Sequence, residues 1–158
     1  MGFDSKVQRK IFGKWTTGVT VVTTDGPAGK GGLTANAVAS LSLDPPLVLV
    51  AVAKSAGSYT EIRQNGCYAI NILSLAQEEA SKRFATPGPK DFSGFGWKMA
   101  VTGAPILEGS LGYVDCRLRE VLPGGDHDIF VGEIVAGEGA DEGEPLVYCS
   151  GKYRRLAE

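Results

Sequence analysis

Val19-Thr20-Val21-Val22-Thr23-Thr24 is β-branched at every position, and the run reads as a strand. Upstream of it the period is different. Ser5-x-x-Gln8 is a capping-box pattern, and Phe3, Val7, Ile11 and Trp15 recur at helical spacing, which predicts an amphipathic helix over 5–16 that stops near Gly18. Downstream, the glycine-rich turn 25–32 leads into Leu33 to Leu43, a strand-like run of small residues broken by Asp44-Pro45-Pro46. Leu47 to Val52 is nearly continuous apolar sequence, the pattern of a strand buried on both faces.

The alternation of short strands and short helices continues to the end of the chain. Ser58-x-x-Glu61 predicts a capped helix ending at Asn65-Gly66, Cys67 to Leu73 predicts a strand, and Ser74-x-x-Gln77 caps a helix over 75–84. Residues 86–96 hold two prolines and three glycines and form the longest irregular stretch. Val114 to Leu122 and Ile129 to Val135 form the arms of a hairpin turning at Pro123-Gly124-Gly125-Asp126, and a last strand runs Pro145 to Cys149. About seven strands with little helix between them indicate a mainly β chain with short helices, closed or partly closed into a barrel. A parallel βαβ nucleotide fold needs more helix between its strands. No linker, repeat or low-complexity segment divides residues 1–158, so a single domain is expected.

Composition narrows the partners. The chain has 158 residues, 43% hydrophobic and 22% charged, with a net charge of −2. That balance offers no basic face for nucleic acid or an anionic membrane. Cys67, Cys116 and Cys149 are widely spaced and His127 is the only histidine, so no metal ligand set is expected. Three free thiols suit a reducing compartment. No apolar h-region opens the sequence and no stretch approaches the ~20 apolar residues of a membrane span. A cytoplasmic setting is therefore expected.

Gly26-Pro27-Ala28-Gly29-Lys30-Gly31-Gly32 fails as a phosphate loop, because Gly31 stands where Ser or Thr is required and a strand follows. Neither G-x-G-x-x-G nor G-x-S-x-G occurs. Three features remain. Along Thr34 to Ser42, hydroxyl and amide groups alternate with small or apolar residues, either as a solvated sheet face or as a polar edge for a heteroaromatic ring. In Lys54-Ser55-Ala56-Gly57-Ser58-Tyr59, a strand runs into a capped helix, where Lys54, Ser58 and backbone N–H groups either form a plain cap or hold a phosphate. In Gly124-Gly125-Asp126-His127, the lone histidine follows a glycine turn, as a structural hydrogen-bonder or a functional residue at a hairpin tip.

Taken in order, Phe12-x-x-x-Thr16-x-Gly18-Val19-Thr20-Val21-Val22-Thr23, the Thr34 to Pro46 stretch, Cys67 to Leu73, Arg83-Phe84, Gly125-Asp126-His127 and Pro145 to Tyr148 resemble the flavin reductase-like, FMN-binding split-barrel family. The resemblance covers nearly the whole chain. It implies a homodimeric split β-barrel with flavin between subunits, using FMN or FAD and oxidising NADH or NADPH. By matched position, Thr34, Ala35, Asn36, Ala37, Val38, Ser40 and Ser42 line the isoalloxazine ring. Lys54, Ser55, Ser58 and Tyr59, with Arg83 and Phe84, surround the ribityl phosphate. His127 and Tyr153 border the nicotinamide side, with Asp126 beside them, and His127 is the catalytic candidate. A flavin accepts hydride at its own ring nitrogen, so the protein need only bind, stack and orient. The implied activity is an NAD(P)H:flavin reductase serving a separate flavin-dependent monooxygenase. The alternatives are a split-barrel flavoprotein that keeps its flavin and acts on another substrate, and a non-catalytic flavin binder.

Overall fold

The computed structural model describes residues 2–157. Among them are helices α1 (Ser5–Phe12), α2 (Tyr59–Asn65) and α3 (Glu78–Ala85) and twelve strands, so the fold is mainly β with short helices. In chain order the strands are β1 (Thr17–Gly18), β2 (Thr20–Thr24), β3 (Gly31–Ala35), β4 (Val38–Leu43), β5 (Pro46–Ala53), β6 (Cys67–Ile72), β7 (Trp97–Met99), β8 (Pro105–Leu107), β9 (Gly112–Gly124), β10 (His127–Gly139), β11 (Val147–Cys149) and β12 (Lys152–Arg154). Seven of them form one antiparallel sheet in the order β3-β2-β6-β9-β10-β5-β4.

The run expected as one strand from Leu33 to Leu43 is two. β3 pairs with β2 on one edge of the sheet, β4 pairs with β5 on the other, and only Asn36-Ala37 joins them. In a flat sheet these edges would stand about 29 Å apart across six inter-strand gaps. The three Cα steps from Ala35 to Val38 reach at most about 11 Å. The sheet must therefore curl until its edges meet at this corner, where the Ala51 N–H donates to the Ala37 carbonyl at 2.9 Å. Bulges at Val131/Gly132 and Ile134/Ala136 help β10 bend.

The enclosed face gathers Val22, Val48, Val50, Val52, Ile70, Cys116 and Phe130, with Ile62 of α2 among them. Tyr68 fits there because Gly132 has no side chain: a Cβ on Gly132 would lie 2.5 Å from the Tyr68 hydroxyl. That hydroxyl donates to the Phe130 carbonyl at 3.1 Å. Outside the sheet, α3 packs Phe84 against Val21 and Phe92. Gly32 permits the approach, since a Cβ there would meet the Phe84 ring at 2.8 Å.

Several local expectations need correction. β5 is not buried on both faces. Val48, Val50 and Val52 face the core, while Leu47, Leu49, Ala51 and Ala53 are only half-buried. The first helix is capped by Asp4, whose carboxylate accepts from the Lys6 N–H at 2.7 Å, and it ends at Phe12 instead of 16. None of its residues is buried, so Val7 and Ile11 stand exposed, as does Phe3 ahead of the helix. β1, β7, β8 and β12 were not expected, being too short to develop an alternating pattern. The Ser74–Gln77 capping box is present as read, opening a 3₁₀ turn before α3.

Candidate functional site

The corner that closes the sheet also floors a cleft of about 350 Å³, within the usual range for small-molecule sites. Its walls come from Thr34 to Ala37, from Ala51, Ala53 and Ser55 at the end of β5, and from Phe84 and the 85–87 turn. His127 and Lys90 complete the lining. Small side chains dominate because β5 turns its alanines outward here, which is why that face of the strand is half open. A second cleft of about 190 Å³ shares Thr34, Ala35, Asn36 and Ala85 and is bounded by Tyr148 and Tyr153.

Thr34 is fixed by donating its hydroxyl hydrogen to the Ser81 carbonyl at 2.6 Å, which leaves oxygen lone pairs as acceptors. The buried Ser81 hydroxyl lies 2.7 Å from the Tyr153 hydroxyl, so α3 ties β3 to β12 across the second cleft. At the far rim, His127 pairs in register with Ala53, and its Nδ1 lies 2.7 Å from Asp126 Oδ1. The hydrogen bond from His127 holds the exposed Asp126 carboxyl below the ordinary aspartate range. This contact leaves Nε2 as the ring nitrogen without a protein-fixed role.

The structure brings Thr34, Ala35, Asn36, Ala37, Ser55, Phe84 and His127 into the main cleft, and Tyr153 into its neighbour. The remaining sequence candidates lie elsewhere. Val38 is half-buried and packs against the core, and Ser40 and Ser42 sit on the edge strand β4. Ser58 is buried: Gly32 N–H donates to its Oγ and Oγ donates to the Gly32 carbonyl, both at 2.9 Å. It makes no side-chain cap on α2, so the capping reading of this serine does not hold.

Lys54 and Tyr59 turn to Asp128. The Lys54 ammonium is 3.6 Å from its carboxylate, and the Tyr59 hydroxyl donates to it. Arg63 donates to that same tyrosine oxygen at 2.9 Å. The Tyr59 hydrogen bond, then Lys54 and Arg63, lower the Asp128 pKa. Arg83 donates to the Ser93 carbonyl at 2.5 Å and stacks 4.6 Å over the Phe95 ring. Sequence reasoning missed Lys90, which lies in the irregular 86–96 stretch where no periodicity marks an inward-facing residue. It also missed Ala51 and Ala53, although small residues inside an apolar run were a signal that could have marked a wall.

A small-residue floor, a hydroxyl and amide rim and one cation suit a planar heteroaromatic ring with a phosphate tail. The family model for the flavin reductase like domain matches residues 12–157. This chain belongs to the flavin reductase-like family. Its relatives in that family include FMN reductase (NADH) SmoA of Agrobacterium fabrum, 38% identical over 156 residues that cover 99% of this chain and 88% of the relative. The reductase subunit HsaB of a flavin-dependent monooxygenase from Rhodococcus jostii is 35% identical over 150 residues, covering 95% of this chain and 77% of that one. Among solved flavin reductases, NADH:FAD oxidoreductase SgcE6 of Streptomyces globisporus, in complex with NAD and FAD fragments, superposes with a TM-score of 0.91. It is 35% identical, with 99% of this chain and 97% of the other covered. The chain spans about half the length, 49%, of a Rhizobium meliloti family member that is 40% identical over 152 residues. Among the described residues, no helix is long and apolar enough to cross a membrane.

Proposed function

We propose that this chain is an NAD(P)H:flavin oxidoreductase that moves a hydride from NADH or NADPH to FMN or FAD, and that the reduced flavin passes to a flavin-dependent monooxygenase. The observation that carries this reading is the cleft at the closing corner, in a chain matched over 12–157 by the flavin reductase family. When bound, the flavin supplies the hydride acceptor and the nicotinamide the donor. The protein's own share is positional. Ala35, Ala37, Ala51 and Ala53 let a flat ring approach the backbone closely, and Thr34 and Asn36 offer hydrogen bonds to its polar edge. Phe84 and Ala85 line one side, where they would exclude water from a bound ring. His127, braced by Asp126, borders the mouth where the nicotinamide would stack. No proton transfer by the protein is required for hydride transfer, which fits a cleft that no carboxylate lines among the described residues.

The single domain acts as a homodimer of FMN-binding split barrels. Phe3, Val7 and Ile11 at helical spacing, with Trp15 at 73% and Leu43 at 91% exposure, are large apolar side chains that a second copy would cover. A second copy covering α1 and the β4 edge would bring Ser40 and Ser42 under cover beside the cleft. The partially exposed free thiol Cys149 is compatible with a cytoplasmic setting. The test is oxidation of NADH and NADPH by the purified chain with FMN, FAD or riboflavin in excess, alongside sedimentation at micromolar concentration. Oxidation no faster than the free-flavin background refutes the reductase reading, and a flavin-binding monomer refutes the dimer.

A further inference from the structure

His127 reaches the cleft from the first residue of β10, and the next side chain along a strand points to the opposite face. That side chain is Asp128, a carboxylate only 6% exposed, on the side where Phe130 enters the core. The Tyr59 hydroxyl donates to it, and the Lys54 ammonium and Arg63 guanidinium lie 3.6 and 3.9 Å from its oxygens. Arg63 also donates to the Tyr59 oxygen at 2.9 Å, and the Tyr59 ring stands edge-on to Phe130 at 5.4 Å. All three partners lie on the segment 54–63, which leaves β5, passes Ser55, Ala56 and Gly57 in the cleft wall and enters α2. The backbone repeats the link, since the Lys54 N–H donates to the Asp126 carbonyl at 3.0 Å. Asp128 thus ties the turn that carries His127 to a second turn of the cleft wall. For stability alone a buried carboxylate is a poor choice, because desolvation offsets much of what its ion pairs return. What three directional partners add is a single geometry.

We propose that Asp128 is a positioning residue for the reaction: its contacts with Tyr59, Lys54 and Arg63 hold the β9–β10 turn so that the His127 imidazole stands at the nicotinamide end of the cleft. The proposal rests on the reductase reading and on the place it gives His127. Steady-state KM and kcat for NADH are measured with FMN in excess on the wild-type chain, Asp128→Ala, Asp128→Asn, His127→Ala and the double variant Asp128→Ala/His127→Ala. Asp128→Ala should raise the KM for NADH about threefold or more, within the range of couplings between adjoining residues, and leave FMN affinity within about twofold. Asp128→Asn still accepts from Tyr59 and should keep most of the wild-type KM, a rescue that a merely structural role would not require. In the His127→Ala background, Asp128→Ala should change KM by less than about twofold, because the histidine it places is gone. A lowered Tm with unchanged KM overturns the proposal, and so does an equal rise in KM with and without His127. Where Asp128→Ala does not fold, Tyr59→Phe removes one partner without altering charge. It should move the proton NMR signal of the His127 ring, which is unambiguous because the chain holds a single histidine, and an unmoved signal overturns the proposal. That signal is read without substrate. A wild-type chain that oxidises no nicotinamide therefore refutes the reductase reading, a result distinct from failure of the Asp128 contacts to place the ring.

Discussion

Ser58→Ala separates the sequence reading of the 54–59 segment from the tertiary one. Ser58 is 3% exposed, and its hydroxyl both accepts from the Gly32 N–H and donates to the Gly32 carbonyl at 2.9 Å. Alanine removes both partners at once and leaves a buried N–H with no acceptor from this side chain. One such orphaned donor costs about 1–3 kcal/mol, and the lost donation to the carbonyl adds to it, so about 2–3 kcal/mol is expected. For a chain of this size that lowers Tm by roughly 4–12 °C. Circular dichroism melts measure the loss, and flavin fluorescence titration measures FMN affinity on the folded fraction. The expected result is a clear loss of stability with FMN affinity changed by less than about twofold. An unchanged Tm together with a tenfold loss of FMN affinity would refute the reasoning and return Ser58 to phosphate binding.

Three further outcomes are expected. His127→Ala should raise the KM for NAD(P)H or lower kcat in steady-state assays, partially and without abolition, while FMN affinity and Tm stay near wild type. A lowered Tm with wild-type kinetics would make the histidine a turn residue. Gly132→Ala would put a Cβ 2.5 Å from the Tyr68 hydroxyl and 2.8 Å from Cys116 Cβ, and this overpacking should cost about 1–3 kcal/mol in urea unfolding. Adding Tyr68→Phe should recover part of that loss. Asp128 has a pKa lowered by Tyr59, Lys54 and Arg63, so its contribution to stability is present above the unfolded-state value of about 3.9 and is lost as pH falls through the lower folded value. Melts between pH 6 and pH 3 should show an acid decline that is shallower in Asp128→Asn, and parallel declines would discount the cluster.

What the sequence determined by itself is the set of strands whose side chains repeat long enough to show a period. The β-branched 19–24 run, the 47–52 apolar run and the 114–135 hairpin are legible because a strand must satisfy its faces along its whole length. The ordered motifs also identify the family, and they bring Thr34 to Ala37, Ser55, Phe84 and His127 to one cleft. Only the tertiary structure decided which polar side chains are free to meet a ligand. Ser58, Lys54, Tyr59 and Arg83 have the right chemistry for a phosphate, but their partners Gly32, Asp128 and Ser93 are 26, 74, 69 and 10 residues away along the chain. Lys90 and Ser55 come to line one cleft for the same reason. A hydrogen bond or a cleft wall depends on distance in space, and no local period encodes a contact made by curling a sheet until two edges meet.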